Sequence, residues 1–207
     1  MSTGHNGRQT AKDVLQAMAS PIEPVTSRFK GPRVSEAWEE ILREVVSHVR
    51  NQTADTGQAG GAQPPGRSPG ARVLLLGEGS REKALLAASI TSDLEQELYR
   101  VDLAQFLDQQ GLTNQAELHR LLDAADESGC ALLLEGVDDV SGLAAGVERA
   151  QPPSMQAIAS LMHSLRSHPG LILLALPRQT DEIDQAVSSE MDFVLPVSSP
   201  GRGWNHA

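Results

Sequence analysis

Five short apolar runs, each separated from the next by a segment long enough for a helix, dominate the chain from residue 72 onward. Runs of this length without polar alternation are typical of strands buried on both faces of a parallel sheet. Their alternation with helices predicts βαβ units. We therefore expect an α/β fold with a doubly wound, mostly parallel five-stranded sheet. The predicted strands are Arg72–Leu76, Leu98–Asp102, Ala131–Glu135, Leu171–Ala175 and Asp192–Pro196.

The segments between these strands have the spacing of amphipathic helices. The clearest one places Leu118, Leu121 and Leu122 on a single face. Apolar residues make up 40% of the 207 residues, but aromatic residues only 3%. Aliphatic side chains must therefore build most of the interior. The predicted helices of this region cover residues 81–94, 113–127 and 154–167.

A stretch rich in Gly, Pro, Gln, Ser and Thr precedes the first strand and is predicted to be a flexible linker. This composition change divides the chain into parts. They are an N-terminal helical segment (1–51), the linker (52–71), the α/β domain (72–198) and a short tail (199–207). Within the first part we expect a short helix around residues 10–19, ending before Pro21, and a longer one over residues 35–50.

The longer N-terminal helix is amphipathic, and Ser35 is placed to cap its start. Two roles are open for its apolar face. It packs on the chain's own α/β domain, or it enters the groove of a protein partner with Trp38 as the anchor. The candidate partner-binding residues are Trp38, Ile41, Leu42 and Val45.

The formal net charge is −10 and the isoelectric point about 5.0. Because this acidity repels phosphate backbones and anionic lipid surfaces, we expect neither nucleic acid nor a membrane as partner. The N-terminus lacks the apolar run of a secretory signal, so a cytoplasmic location is expected. The histidines lack ligand spacing, so no metal site is predicted. Cys130, the sole cysteine, precedes an apolar run and is predicted to be a buried thiol.

The first predicted strand runs directly into Gly77-Glu78-Gly79-Ser80-Arg81-Glu82-Lys83-Ala84, and a strand, loop and helix in this order are typical of phosphate-binding loops. Gly77 and Lys83 match the motif G-x-x-x-x-G-K-[ST]. Glu82 replaces the second glycine and Ala84 the hydroxyl residue that ligates magnesium. A carboxylate about 5 to 6 Å from a phosphate charge costs roughly 3 kcal/mol at an effective dielectric near 20. A tight turn without nucleotide therefore competes with a vestigial nucleotide site.

Between residues 72 and 198 the sequence resembles the AAA-type ATPases, and the resemblance extends over several motifs. It implies a P-loop NTPase-like sheet without the family's helical lid. The nearest group it resembles is the AAA proteins encoded beside contractile, phage-tail-like particles. The matching segments are Leu98–Leu103 (second strand), Leu121–Ala125 (helix before the Walker B strand), His168–Ala175 (sensor 1 strand) and Met191–Val194 (final strand).

Against the family pattern, the Walker B pair Asp-Glu is replaced by Glu135-Gly136. The resemblance implies that Glu135 keeps a carboxylate near the metal position, whereas Gly136 has no group that could polarise a water. The polar residue of sensor 1 corresponds to Ala175. The arginine fingers correspond to Ser189-Glu190, and the aromatic grip of threading enzymes to Gln109-Gln110-Gly111.

All the replaced residues belong to one reaction, ATP hydrolysis. The apolar residues that form the strands and helices, by contrast, are kept at the positions that the family fold requires. We therefore expect a catalytically inactive, AAA-like pseudo-ATPase that acts through protein–protein contacts, as a scaffold, assembly factor or accessory subunit of a larger complex, without a required cofactor. The alternatives are a weak ATP-binding protein or ATPase whose site a partner subunit completes, and a switch that binds nucleotide without turnover. In either alternative, the remaining nucleotide contacts would be Gly77, Lys83 and Glu135.

Overall fold

The computed structural model contains a six-stranded sheet flanked by helices on both faces. Its spatial strand order is β1-β3-β4-β5-β2-β6, and every pairing is parallel except that of β1 with β3. The strands are β1 Ser20–Ile22, β2 Arg72–Leu76, β3 Leu98–Asp102, β4 Ala131–Glu135, β5 Ile172–Leu176 and β6 Phe193–Pro196. The structure describes residues 10–24, 40, 42–51, 70–77, 79–106, 114–136, 155–177, 185 and 187–197.

The five strands predicted from sequence are confirmed. Three match residue for residue, β5 is displaced by one residue at both ends, and β6 starts one residue later than predicted. The predicted helices are also present, with ends displaced by one or two residues where both ends are described. They are α1 Ala11–Met18, α2 (42–51 of the described residues), α3 Ser80–Asp93, α4 Gln115–Ser128 and α5 Met155–Arg166, and a 3-10 helix, Leu103–Phe106, follows β3.

One strand, β1, was not predicted. It has only three residues, and Pro21 at its centre lacks the N–H that a ladder requires. β1 pairs with β3 alone and forms an edge of the sheet, which is where proline is tolerated in a strand. The N-terminal segment is therefore not purely helical, because it adds this antiparallel strand to the sheet.

Alternating side chains of each parallel strand enter two separate cores. Val101 and Leu134 point to the face covered by α1, α4 and α5, while Val73, Leu133 and Leu173 point to the face covered by α2 and α3. The sheet is thus covered on both sides, as the unbroken apolar runs indicated. Within the described residues, no helix is both long enough and apolar enough to cross a bilayer.

The helix α2 packs on the chain's own domain. Val45 is fully buried and Leu42 half-buried in the core beneath α3. His48 stacks edge-on against Phe193 of β6 with ring centroids 5.2 Å apart, and an Arg50 guanidinium N–H donates to the Asp93 carbonyl at 2.6 Å. Of the two roles left open for this helix, the intramolecular contact is the one observed for Val45. Trp38 and Ile41 lie outside the described residues.

The start of the α/β domain differs from the sequence prediction, which assigned Gly70 and Ala71 to the linker. Both residues are buried. The Gly70 N–H donates to the His168 carbonyl at 3.0 Å, and the Ile172 N–H donates to the Ala71 carbonyl at 2.9 Å. Buried, hydrogen-bonded backbone of the domain therefore begins two residues before β2, because backbone hydrogen bonds do not depend on side-chain hydrophobicity. Residues 52–69, 107–113 and 198–207 are outside the described part of the chain.

Candidate functional site

The carboxyl ends of β2, β3, β4 and β5 meet at one edge of the sheet, next to the N-terminus of α3. A cleft of about 210 Å³ opens there. In open parallel sheets this edge is where ligands bind. The residues that line the cleft are Ser80, Lys83, Arg100, Asp102, Glu135, Gly136 and Ala175.

Gly77 is held where β2 turns toward α3. Its φ of 141° is accessible to glycine, and a Cβ at this position would collide with the Val197 carbonyl, whose carbon would lie 3.0 Å away. The Gly77 N–H donates to the Leu176 carbonyl at 3.0 Å, and the Val197 N–H donates to the Leu76 carbonyl at 2.7 Å. Gly77 therefore has a structural function that does not require a nucleotide.

The first turn of α3 begins after Gly79, whose φ is 99° and which has no side chain to cap the helix. Glu82 lies in this turn, where a carboxylate interacts favourably with the positive end of the helix dipole. The glutamate that replaces the second motif glycine thus stabilises the helix start itself.

Lys83 and Ala84 face different environments. Lys83 is only 2% exposed and lines the cleft together with Asp102 and Glu135. A buried ammonium requires compensating polar or charged neighbours. Ala84 is 8% exposed and belongs to the apolar core shared by α2 and α3. The position of the magnesium-ligating hydroxyl is therefore occupied by a methyl group that packs in the core.

Glu135 forms an ion pair with an arginine of the neighbouring strand. The Arg100 Nε lies 3.1 Å from the Glu135 Oε2, and the glutamate side chain is 18% exposed against 47% for the arginine. The register pairs Arg100 with Leu133 and Asp102 with Glu135, so both β3 side chains end near the glutamate at the strand ends. The Glu135 carboxylate at the end of β4 is thus already engaged by a cation of this chain.

Gly136 follows β4 with a φ of 92°. A Cβ at this position would overlap Oδ1 of Asp102 and lie 3.3 Å from its Cγ. The space into which a side chain at position 136 would project is therefore filled by the Asp102 carboxylate.

The remaining family positions carry no catalytic group in the described residues. Ala175 at the end of β5 is 2% exposed and Leu176 is 3% exposed, so this part of the cleft wall is apolar. Glu190 accepts a hydrogen bond from the Arg166 guanidinium of α5, an ion pair within the same chain. Ser189 is exposed. Gln109, Gln110 and Gly111 lie outside the described residues.

Comparison with known proteins decides the family. The model of the ATPase family associated with various cellular activities (AAA) matches residues 73–199, more than half of the chain. The chain belongs to the AAA family. The crystal structure of the FIGL-1 AAA domain in complex with ADP aligns with a TM-score of 0.57 and 15% sequence identity, over 97% of this chain and 64% of that one. At this identity the match concerns the fold alone. No match was found among curated proteins.

Set against the AAA pattern, the structure brings two of the three predicted nucleotide contacts, Lys83 and Glu135, to the same cleft, with Gly77 supporting the loop beside it. Sequence reasoning missed Arg100 and Asp102. Their signal was the alternation of exposed and buried residues in β3, with Arg100 and Asp102 exposed on either side of buried Val101. Alternation places the two charges on one face, but only the pairing with β4 shows that this face meets Glu135.

Proposed function

We propose that this AAA protein does not hydrolyse ATP and acts through protein–protein contacts, as a scaffold, assembly factor or accessory subunit of a larger complex. The observation that carries the proposal is the state of the cleft. Its magnesium-ligand position is Ala84, packed in the core, and its water-activating position is Gly136, whose side-chain space is filled. Among the described residues, this edge then offers neither a hydroxyl ligand at position 84 nor a general base at position 136, two groups that phosphoryl transfer to water uses.

A magnesium nucleotide also fits the residues present poorly. In the family the acidic Walker B residue faces the metal, whereas here Glu135 faces Arg100. Binding a metal would require this ion pair to open, and Asp102 adds a second carboxylate that repels phosphate oxygens. We therefore propose that no ATP or magnesium is needed for the function.

Titration of the purified protein with fluorescently labelled ATP and ADP, with and without magnesium, tests this proposal. We expect no saturable binding in the range typical of nucleotide-dependent enzymes. Glu135→Gln is the matched control, because it removes the charge of the carboxylate while keeping its size. Tight, magnesium-dependent binding by the wild type that Glu135→Gln weakens would contradict the proposal.

The second candidate is a weak ATP-binding protein or ATPase whose site is completed by a partner subunit. It is favoured by one observation, the burial of Lys83 in the cleft beside two carboxylates, which is the placement of a phosphate-binding lysine. The two candidates differ in what a partner does. In the second, ATP turnover appears only on mixing with the partner and disappears in Lys83→Ala.

We propose that this chain joins an assembly made of protein alone. The assembly lies in the cytoplasm and is of the kind associated with contractile, phage-tail-like particles. With Ser189 and Glu190 at the arginine-finger positions, these two positions offer no positive charge to a neighbour's nucleotide. We expect light scattering coupled to size-exclusion chromatography to show no hexamer of this chain alone. A stable hexamer would contradict this part of the proposal.

A further inference from the structure

In the part of the chain that the structure describes, the cleft is lined by four charged side chains, and two of them, Arg100 and Asp102, are not among the nucleotide contacts predicted from the family motifs. Arg100 and Asp102 project from β3 toward the ends of β4, where Glu135 and Gly136 lie. We call Arg100, Asp102 and Glu135 the β3–β4 polar cluster. Both β3 residues are charged and separated by a single residue, so they leave the strand on the same face.

Arg100 places a positive charge beside Glu135. Its guanidinium lies 3.1 Å from the Glu135 carboxylate, a distance typical of a charge-assisted hydrogen bond. A carboxylate that is mostly buried, at 18% exposed, needs a compensating positive charge. In a metal-dependent site that charge is supplied by the ion. Here the Arg100 guanidinium supplies it at Oε2, and the buried Lys83 lines the same cleft.

Asp102 lies directly beside Gly136. Its carboxylate occupies the volume that any side chain at position 136 would enter. The two positions are therefore coupled, because a side chain at 136 requires Asp102 to move. Gly136 is suited to its φ of 92° and to this close contact at the same time.

We propose that Arg100 and Asp102 determine the specificity of the cleft by replacing the metal and the catalytic side chain with groups of the chain itself. Arg100 takes the place of the divalent cation on Glu135, and Asp102 takes the place of the side chain at position 136. Together with Lys83, the described lining of the cleft then carries two positive and two negative side chains, and Arg100 keeps a divalent metal from Glu135. This inference rests on the proposed function, and it explains why a divalent metal does not bind in the cleft.

The Asp102 part is tested by a double-mutant cycle on stability. Gly136→Ala is made in the wild type and in Asp102→Ala, and urea midpoints are compared. We expect Gly136→Ala to lower the folding equilibrium constant about fivefold or more beyond its effect in Asp102→Ala, since only the wild type must also displace the Asp102 carboxylate. Equal losses in the two backgrounds would overturn the assignment.

Gly129→Ala is the matched control for that cycle. Gly129 also has a positive φ, 65°, but a Cβ there would meet nothing within 4 Å. Its loss of stability should be the same with and without Asp102→Ala. If the stability loss of Gly129→Ala differed between the wild type and Asp102→Ala as much as that of Gly136→Ala, Asp102 would act on stability generally. That result would also overturn the assignment.

The Arg100 part is tested with Mn²⁺ alone, followed by electron paramagnetic resonance. We expect Arg100→Ala to bind Mn²⁺ at least tenfold more tightly than the wild type, and the gain to vanish in Arg100→Ala/Glu135→Gln. Arg100→Lys, which keeps the charge, and Arg72→Ala, which removes a positive charge paired with Asp192 elsewhere, should behave as the wild type. An unchanged Mn²⁺ affinity in Arg100→Ala would overturn the inference.

Failure of this inference and failure of the proposed function give different results. If the proposed function is wrong, the wild type itself binds magnesium nucleotide tightly, whatever the variants do. If only the inference is wrong, the wild type binds none, and the Arg100 and Asp102 variants change neither the metal affinity nor the coupling.

Discussion

The interior of the sheet and its carboxyl edge carry different kinds of information. In the interior, the strands keep buried aliphatic residues in an order and register that identify the AAA fold. At the edge, where β3 and β4 end, charged side chains of neighbouring strands pair with one another, as Arg100 does with Glu135. The difference teaches that the interior is held by the packing of apolar side chains, whereas the edge depends on contacts between individual charged groups.

The largest expected effect separates the two regions by stability. Leu133 is fully buried on β4, between β3 and β5, so Leu133→Ala leaves a cavity in the core. We expect a loss of about 3 kcal/mol in the free energy of unfolding, measured by urea denaturation. Val194→Ala on the edge strand β6, where the side chain is 40% exposed, is the control and should cost much less. If both variants lost the same free energy of unfolding, the claim that buried interior side chains hold the fold together would be contradicted.

The next effect concerns the loop between the two regions. Gly77→Ala introduces a Cβ against the Val197 carbonyl at a φ of 141°. We expect a loss of about 2 kcal/mol in the free energy of unfolding, since strain and steric overlap add. Gly129→Ala, which has strain without overlap, should lose about half as much. If Gly77→Ala is neutral, the glycine is not required by the fold, and its match to the phosphate-binding motif would then favour a ligand.

A smaller effect is expected at the edge itself. Arg100→Ala removes a partner whose side chain is 47% exposed, so solvent screens much of the interaction. The free energy of unfolding should fall by about 1 kcal/mol or less. Chemical denaturation of Arg100→Ala beside Leu133→Ala makes this comparison directly. A loss as large as that of the core variant would mean that the polar cluster, and not the apolar interior, holds β3 to β4.

The smallest effect is a pH dependence at the opposite end of the sheet. Burial raises the pKa of the Cys130 thiol to about 11, because the charged thiolate is poorly solvated. The folded state therefore holds this proton more tightly than the unfolded state. The resulting stabilisation is present below the unfolded pKa and is lost as pH rises toward 11. We expect iodoacetamide to leave Cys130 unmodified at pH 8 until urea unfolds the chain; rapid native alkylation would contradict its burial.

The sequence predicted the interior better than the edge for a physical reason. The strand β4, for example, contains the local apolar run Leu132–Leu134, and its burial follows from its own residues. The strand β1 was not predicted, because its three residues, with Pro21 at the centre, do not form an apolar run. The roles of Arg100 and Asp102 were not predicted, because they depend on which strand pairs with β3 and in which register. No local sequence pattern contains that information.

The most direct test of the account is steady-state ATP hydrolysis by the purified chain in the presence of magnesium, with Lys83→Ala measured in parallel and its folding checked by circular dichroism. The account predicts that phosphate release by the wild type does not exceed that of Lys83→Ala. Saturable, magnesium-dependent release by the wild type, lost in a folded Lys83→Ala, would contradict it.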